Sequence, residues 1–488
     1  MFQFGACRPG ERRSSREKFV FALGDIAWLR LAAGAILAAA CACASAQAPS
    51  AAEKRNMELV GYHDLQGRSA YQPLVHAQGG RWIAYIGLHG GHLPNTLNGK
   101  TEHNGTAILD VSDPKRPQLL AHIPGAPGAG AQMVRVCDGA ELPRADKASV
   151  YLLRPFGNSA HEVWNVTDPA RPALVRTVAS GLRGTHKNWW ECDSGIAYLV
   201  SGVPGWRTSR MTQIYDLGNP EQPVFIRNFG LPGQQPGATG RVPTELHGPI
   251  STGRKGGRVY FGYGTSSYGI LQIVDRDRLL RGPKEPTPEN LLYPQLGRLD
   301  LGPDAGAHTA FPLLGMDLAG QSNKQQKSGD FVVLTSESLA EECREPRQMA
   351  WMVDASEESE PRVVANWTVA DAKGEFCRRG GRFGTHSSNE SFSSIYYKRI
   401  MFFAHFNAGV RAVDIRDPRH PQEIGYYIPA ANGNTDRRCG GDGRCKGVIQ
   451  TNNVEVDARG YIYIVDRART GMHILELAGP ARAIAAFE

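Results

Sequence analysis

A single turn motif recurs along this chain and limits what it can fold into. Segments 107–117 (AILDVSDPKRP), 163–172 (VWNVTDPARP) and 413–421 (VDIRDPRHP) are nearly superimposable, and 213–223 and 352–361 are looser copies. Degenerate versions at 271–275 and 473–477 bring the count to seven. Each reads as a β-rich strand, a polar turn built on Asp-Pro or Asn-Pro, and a second strand such as 118–123. Asp and Asn bond to nearby backbone and Pro presets the turn, so the motif marks hairpins. Apolar strands stand upstream of these hairpins, for example at 196–200, 258–262, 330–334, 400–404 and 461–465. Four strands per unit and seven units of about 60 residues describe a β-propeller. Segment 59–65 resembles 423–427, the last strand of the sixth unit, whereas the seventh unit stops after 477 without one. The expected fold class is therefore all-β: a seven-bladed β-propeller whose last blade is completed by an N-terminal strand, which removes two open sheet edges.

The Ile/Val-x-Asp-Val-x-Asp-Pro-x-x-Pro segments resemble the repeats of the LVIVD-repeat proteins, a family of exported seven-bladed propellers. The resemblance covers most of 57–478 and is weakest in blades four, five and seven. It implies a fold and says little about activity.

The first 46 residues read as a leader, not as fold. Arg8, Arg12, Arg13, Arg16, Lys18 and Arg30 form a basic region, 31–43 is apolar and rich in small residues, and Ala44-Ser45-Ala46 is a cleavage site. The domain reading is a signal peptide at 1–46, a linker at 47–56, the propeller at 57–478 and a tail at 479–488, placing the protein in the periplasm or outside the cell. Of nine cysteines, six remain in the mature chain. An even number in an exported protein reads as disulfides. The expected pairs are Cys439 with Cys445, Cys343 with Cys377, and Cys137 with Cys192. The leader's six basic and three acidic residues carry +3 of the formal +7. The mature chain is then only mildly basic, with no stripe of the kind that binds nucleic acid and no second apolar run of membrane-span length. A monomer is expected.

Four histidines occupy matching places in four successive repeats: His186, His247, His308 and His386, preceded by Gly-Thr, Glu-Leu, Gly-Ala and Gly-Thr. In a closed ring these positions point at one axis, together with Gln72, Gln132 and Asn452 or Asn453 from the other blades. Imidazole is the commonest protein ligand for transition metals, so a metal site is expected, with Fe(II) or Cu ahead of Zn. A wet polar channel is the competing reading. Period-two alternation puts Glu390 below His386 and Glu455 below Asn453, with Glu245 above His247. These three carboxylates are the candidates for orienting the imidazoles in catalysis. His89, His92, Trp206, Arg207 and His405 fall in loops on the same face and are candidate substrate contacts. His63, His122, His420 and His473 fall on outer strands or turns and read as structural.

By architecture alone the four-histidine set resembles the carotenoid oxygenases, which hold Fe(II) with four histidines on a seven-bladed propeller. None of that family's other signatures is present, and neither is the Cys-x-x-Cys pair of the copper-holding methanethiol oxidases. The expected function is a metal-dependent oxidoreductase acting on a small apolar or aromatic substrate. The alternative is a non-enzymatic propeller that binds a ligand or a protein partner at the same face. Propeller lactonases, which use Ca²⁺ held by carboxylates and Asn, fit a His-rich axis less well.

Overall fold

The computed structural model describes residues 51–318, 327–439, 443 and 445–487; the leader at 1–46 lies outside them. Seven antiparallel sheets follow one another round a ring. From the axis outwards, blade one runs Ala70–Gln78, Arg81–Leu88, Thr106–Asp110 and Gln118–Ile123. The innermost strands of blades two to seven are Arg135–Asp138, Asn188–Trp190, Leu246–Ser251, Thr309–Asp317, Ser387–Ser388 and Thr451–Val456. Met57–His63 pairs with Met472–Leu477 and supplies the outer strand of blade seven, as the sequence predicts. Glu53–Arg55, inside the stretch read as a linker, adds a fifth strand to blade six against Gln422–Ile428. Part of the tail is also structured: Gly479–Arg482 is a short helix, and Phe487 lies 6.0 Å from the Tyr396 ring.

The recurrent motif owes its form to turn chemistry. Asp113 Oδ1 accepts from Lys115 N at 3.0 Å, its carbonyl accepts from Arg116 N at 3.0 Å, and Oδ2 takes Arg116 Nε at 2.7 Å. Asp168 repeats this with Ala170 and Arg171, and Asp417 with Arg419 and His420. One carboxylate satisfies the turn and its carbonyl closes it. Between the third and fourth strands a register shift recurs in blades one to six, at Ile108/Leu109, Val163/Trp164, Ile214/Tyr215, Ile273/Val274, Met352/Val353 and Ala412/Val413. The closing pair carries it at Leu59/Gly61. A bulge sharpens local twist, and each blade of a propeller needs it.

The apolar core is divided into wedges, one at each junction between blades. Ile83, Tyr85 and Ile108 of blade one pack on Val150 and Leu152 of blade two. Met211, Ile214 and Phe229 of blade three pack on Val259, Phe261 and Tyr263 of blade four. Each fully buried Leu, Ile or Phe contributes roughly 1.5–3 kcal/mol. Because the wedges carry cohesion, the axis is left to polar side chains. All three expected disulfides form: Cys137–Cys192, Cys343–Cys377 and Cys439–Cys445. Among the described residues no helix is long and apolar enough to cross a membrane.

Candidate metal centre

The inner strands bring the four imidazoles into a continuous arc on the axis. Ring centroids are 4.6 Å apart for His186 and His247, 3.7 Å for His247 and His308, and 4.4 Å for His308 and His386. All four are buried. The backbone sets them there in two ways. His186, His308 and His386 sit at the mouth of their strands, their amides donating to Val200, Thr335 and Ala404 of the second strand at 3.2, 2.7 and 2.9 Å. His247 is the extra residue of a bulge: Leu246 faces Tyr263 and Gly248 faces Gly262, so His247 has no partner. The same bulge recurs where Ala70 faces Leu88 and Gln72 faces Gly87, and where Thr451 faces Asp466 and Asn453 faces Val465. Bulges re-aim side chains, and here they turn Tyr71 and Asn452 to the ring.

The ring therefore differs at two places from the sequence reading. Blade one contributes Tyr71 where Gln72 was expected, and Asn452 is chosen over Asn453. Tyr71 Oη lies 3.2 Å from His186 Nε2 and 3.3 Å from His308 Nε2. Gln72 turns down the channel instead, bonding Glu455 Oε1 at 3.1 Å and Asn453.

The far nitrogens of three imidazoles are anchored. Nδ1 of His186 meets Gln132 Oε1, Nδ1 of His386 meets the Asn452 carbonyl at 2.6 Å, and Nδ1 of His308 meets Thr309 Oγ1 at 3.0 Å. Amide and carbonyl oxygens only accept, so Nδ1 of His186 and of His386 carries the proton and Nε2 presents its lone pair. His247 Nδ1 has no partner among the described residues. Burial holds all four well below the usual histidine value, helped by Arg210 and by neighbouring imidazoles at His186. Arg210 acts likewise on His247, Arg467 on His386, and His247 and Lys187 on His308. Neutral imidazoles are the ligating form.

Glu337, from the loop after Ser328–Thr335, is a fifth member with no counterpart in the sequence reading. Its carboxylate stands 3.8 Å from Nε2 of His247 and of His308 and 3.7 Å from Nε2 of His386. Burial pushes its carboxyl up, and Arg467, Arg382, Arg210 and Lys187 pull it down. The three carboxylates expected to orient imidazoles do other things. Glu390 is ion-paired with Lys187 Nζ at 2.8 Å and with Arg135. Glu455 accepts from Gln72 and from Glu390 N at 2.7 Å. Glu245 accepts from Ser209 N at 3.0 Å. The orienting contacts come from Gln132 and the Asn452 carbonyl of adjacent blades and from Thr309, next in the chain to His308.

Of the expected substrate contacts, only His89 reaches the centre. Its Nδ1 meets Gln132 Nε2 at 3.1 Å, and its ring lies edge-on to Tyr71 with centroids 5.1 Å apart. His92 turns away and stacks on His103 at 4.4 Å in the hairpin formed by His92–Pro94 and Thr101–His103. Trp206 is not exposed: it is buried in the wedge between blades three and four. Arg207 holds its own loop, donating to the carbonyls of Gly233, Thr239 and Gly240 at 2.9, 3.2 and 2.6 Å. His405 is buried against Phe383 and Trp367, with centroids 4.9 and 6.2 Å away. The charged groups around the histidines are Arg210, Arg382, Arg467, Lys187 and Glu337, a polar setting for the small apolar or aromatic substrate expected.

Fold and site together define a seven-bladed β-propeller with a buried histidine centre on its axis. No protein-family model and no curated protein matches the chain.

Proposed function

We propose that this chain is an exported, metal-dependent oxidoreductase of the oxygenase type. His186, His247, His308 and His386 would hold its transition metal on the propeller axis. One observation carries the reading: Nδ1 of His186, His308 and His386 is anchored outward within a cluster of close-set imidazoles, the arrangement that fixes metal-ligating histidines elsewhere. Two groups fit an ion, His186 with His247 and His308, and His308 with Glu337 and His386, each with ligand atoms within 4.8 Å of one another. Ligands on opposite sides of an ion with bonds of about 2.1 Å stand roughly 4.2 Å apart, so either group closes with small shifts. Imidazole donors suit Fe(II), Cu, Zn or Ni, and the oxidoreductase reading needs a redox-active metal, Fe(II) or Cu ahead of Zn. When bound, such a metal supplies the Lewis acidity and redox capacity that activate oxygen or water.

The remaining groups have definite tasks. Tyr71 Oη stands beside Nε2 of His186 and of His308, where its hydroxyl could donate to a ligand held at the centre. Glu337 offsets cationic charge, and the Lys187–Glu390–Arg135 group closes the channel below with paired charge. The leader and the three disulfides support export, and the turn repeat supports LVIVD-repeat kinship. A second reading, a propeller that binds a ligand or a protein without catalysis, is favoured by the excess of guanidinium near the histidines, which disfavours a cation. Metal analysis of the purified protein decides between them. The expected result is one equivalent of metal in the parent, and less than a tenth of that in His247→Ala and in His308→Ala at unchanged fold. A parent that stays metal-free after reconstitution with Fe(II), Cu and Zn removes the oxidoreductase reading.

A further inference from the structure

The histidine centre is over-supplied with positive charge for the groups it holds. Arg382 Nη1 lies 3.1 Å and Arg467 Nη1 3.6 Å from the same oxygen of Glu337. Arg210 acts electrostatically on that carboxylate and on His186, His247 and Tyr71. Two guanidiniums thus share one carboxylate oxygen, and Lys187 is paired with Glu390. The arginines are not incidental surface charges. Arg382 and Arg467 both lie over the buried ring of Phe406, at 5.4 and 5.9 Å, which fixes their heads. Their side chains are 20 % and 21 % exposed, against 9 % for Glu337, so they are held yet reachable from outside. Arg382 spends one bond on the Ser338 carbonyl at 3.3 Å. Among the described residues, neither Arg210 nor Arg467 gives a side-chain hydrogen bond to any acceptor, and a guanidinium offers five N–H groups. Apart from its contact with Glu337, Arg467 thus has N–H groups open to further acceptors.

We propose that this cluster is a binding site for a small oxyanion, a carboxylate or phosphate group of the substrate, gripped by Arg382 and Arg467 beside the histidines. Planar guanidinium forks match the paired oxygens of such a group. The proposal rests on the preceding reading only for the place where the ligand sits, and it holds with or without a metal. Where a metal is bound, anion and cation each lower the cost of the other, so their affinities rise together.

The test is calorimetric titration with sodium benzoate and with inorganic phosphate, on protein stripped by chelator and on protein loaded with metal. One saturable site is expected, weakened at least tenfold in Arg382→Gln and in Arg467→Gln. Arg254→Gln, at a distant turn of blade four, leaves it unchanged. Arg467→Lys, which keeps the charge and loses the fork, falls between parent and Arg467→Gln and serves if the glutamine variant fails to fold. Tighter benzoate points to a carboxylate substrate, tighter phosphate to a phosphorylated one. Absence of a saturable site for either anion in both forms overturns the proposal, as does equal binding in parent, Arg382→Gln and Arg467→Lys. Anion binding without metal uptake leaves the site standing and removes the oxidoreductase; metal uptake without an anion site does the reverse.

Discussion

Glu390 is the axial side chain whose loss should cost most. It is 4 % exposed and meets Lys187, itself 2 % exposed, and Arg135. Breaking a buried ion pair by removing one partner costs about 3–5 kcal/mol, because the other charge stays buried and unpaired. Glu390→Gln should therefore lower the free energy of urea unfolding by that amount, seen as a lower midpoint. The pair Glu390→Gln with Lys187→Met should lose less than the sum of the single changes. A midpoint within error of the parent would count against a buried charge group here. The four histidines were legible residue by residue, because each stands at the matching place in its repeat, at the start of an inner strand. Tyr71 was not, since a bulge inserts one residue and slips the period-two count by one. Glu337 was not either: it lies in a Ser-Glu-Ser loop with no periodicity and is brought to the axis only by the path of that loop.

Elements matter here through their edges and junctions. Gly87 shows how closely two blades meet, since a Cβ there would stand 2.1 Å from the Gln132 carbonyl oxygen. Gln132 in turn bridges His89 and His186, so this junction sets the position of one imidazole. The closing strand is the other such place. Met57–His63 covers the edge left open by Met472–Leu477, and Met57 is buried among Val454, Ile462 and Leu475. Removing residues 51–63 should leave an exposed strand edge and an incomplete wedge. The expected outcome is a lower unfolding temperature and self-association, read by light scattering. A monodisperse truncation as stable as the parent would show that closure contributes little. Closure was legible in sequence because 59–65 looks like the outer strand of another blade. The extra strand Glu53–Arg55 was not, having no motif and an exposed, charged composition.

At the scale of the whole molecule, a polar axis inside seven apolar wedges makes stability depend on pH in two opposite ways. Burial lowers the axial histidines, and takes His122, His161 and His473 down to about 4. The unfolded chain therefore binds more protons than the folded one between about pH 4 and 6.5, and stability is lost as pH falls through that window. Glu455 acts the other way. Burial beside Glu390 raises it to about 8, so the folded state keeps a proton that the unfolded chain has released above its usual 4.5. Stability from this group is full below that value and is lost as pH rises towards 8, by at most about 1.4 kcal/mol per pH unit. Above pH 6.5 the histidines no longer contribute, so urea unfolding between pH 6.5 and 8 should show a fall that Glu455→Gln removes. An equal slope in both proteins would place the proton elsewhere.

The sequence by itself determined the repeat, the blade number, the closure, the three disulfides and the identity of the four axial histidines. These are written in local patterns, because turn chemistry, strand periodicity and cysteine placement act within a few residues. Only the tertiary structure decided what surrounds the histidines. Tyr71, Glu337, Gln132 and the arginines come from six different blades, separated by scores of residues and adjacent only because the ring closes. The chemistry of the centre is thus a property of the closed ring, where bulges choose which side chain faces the axis and burial decides which protons it holds.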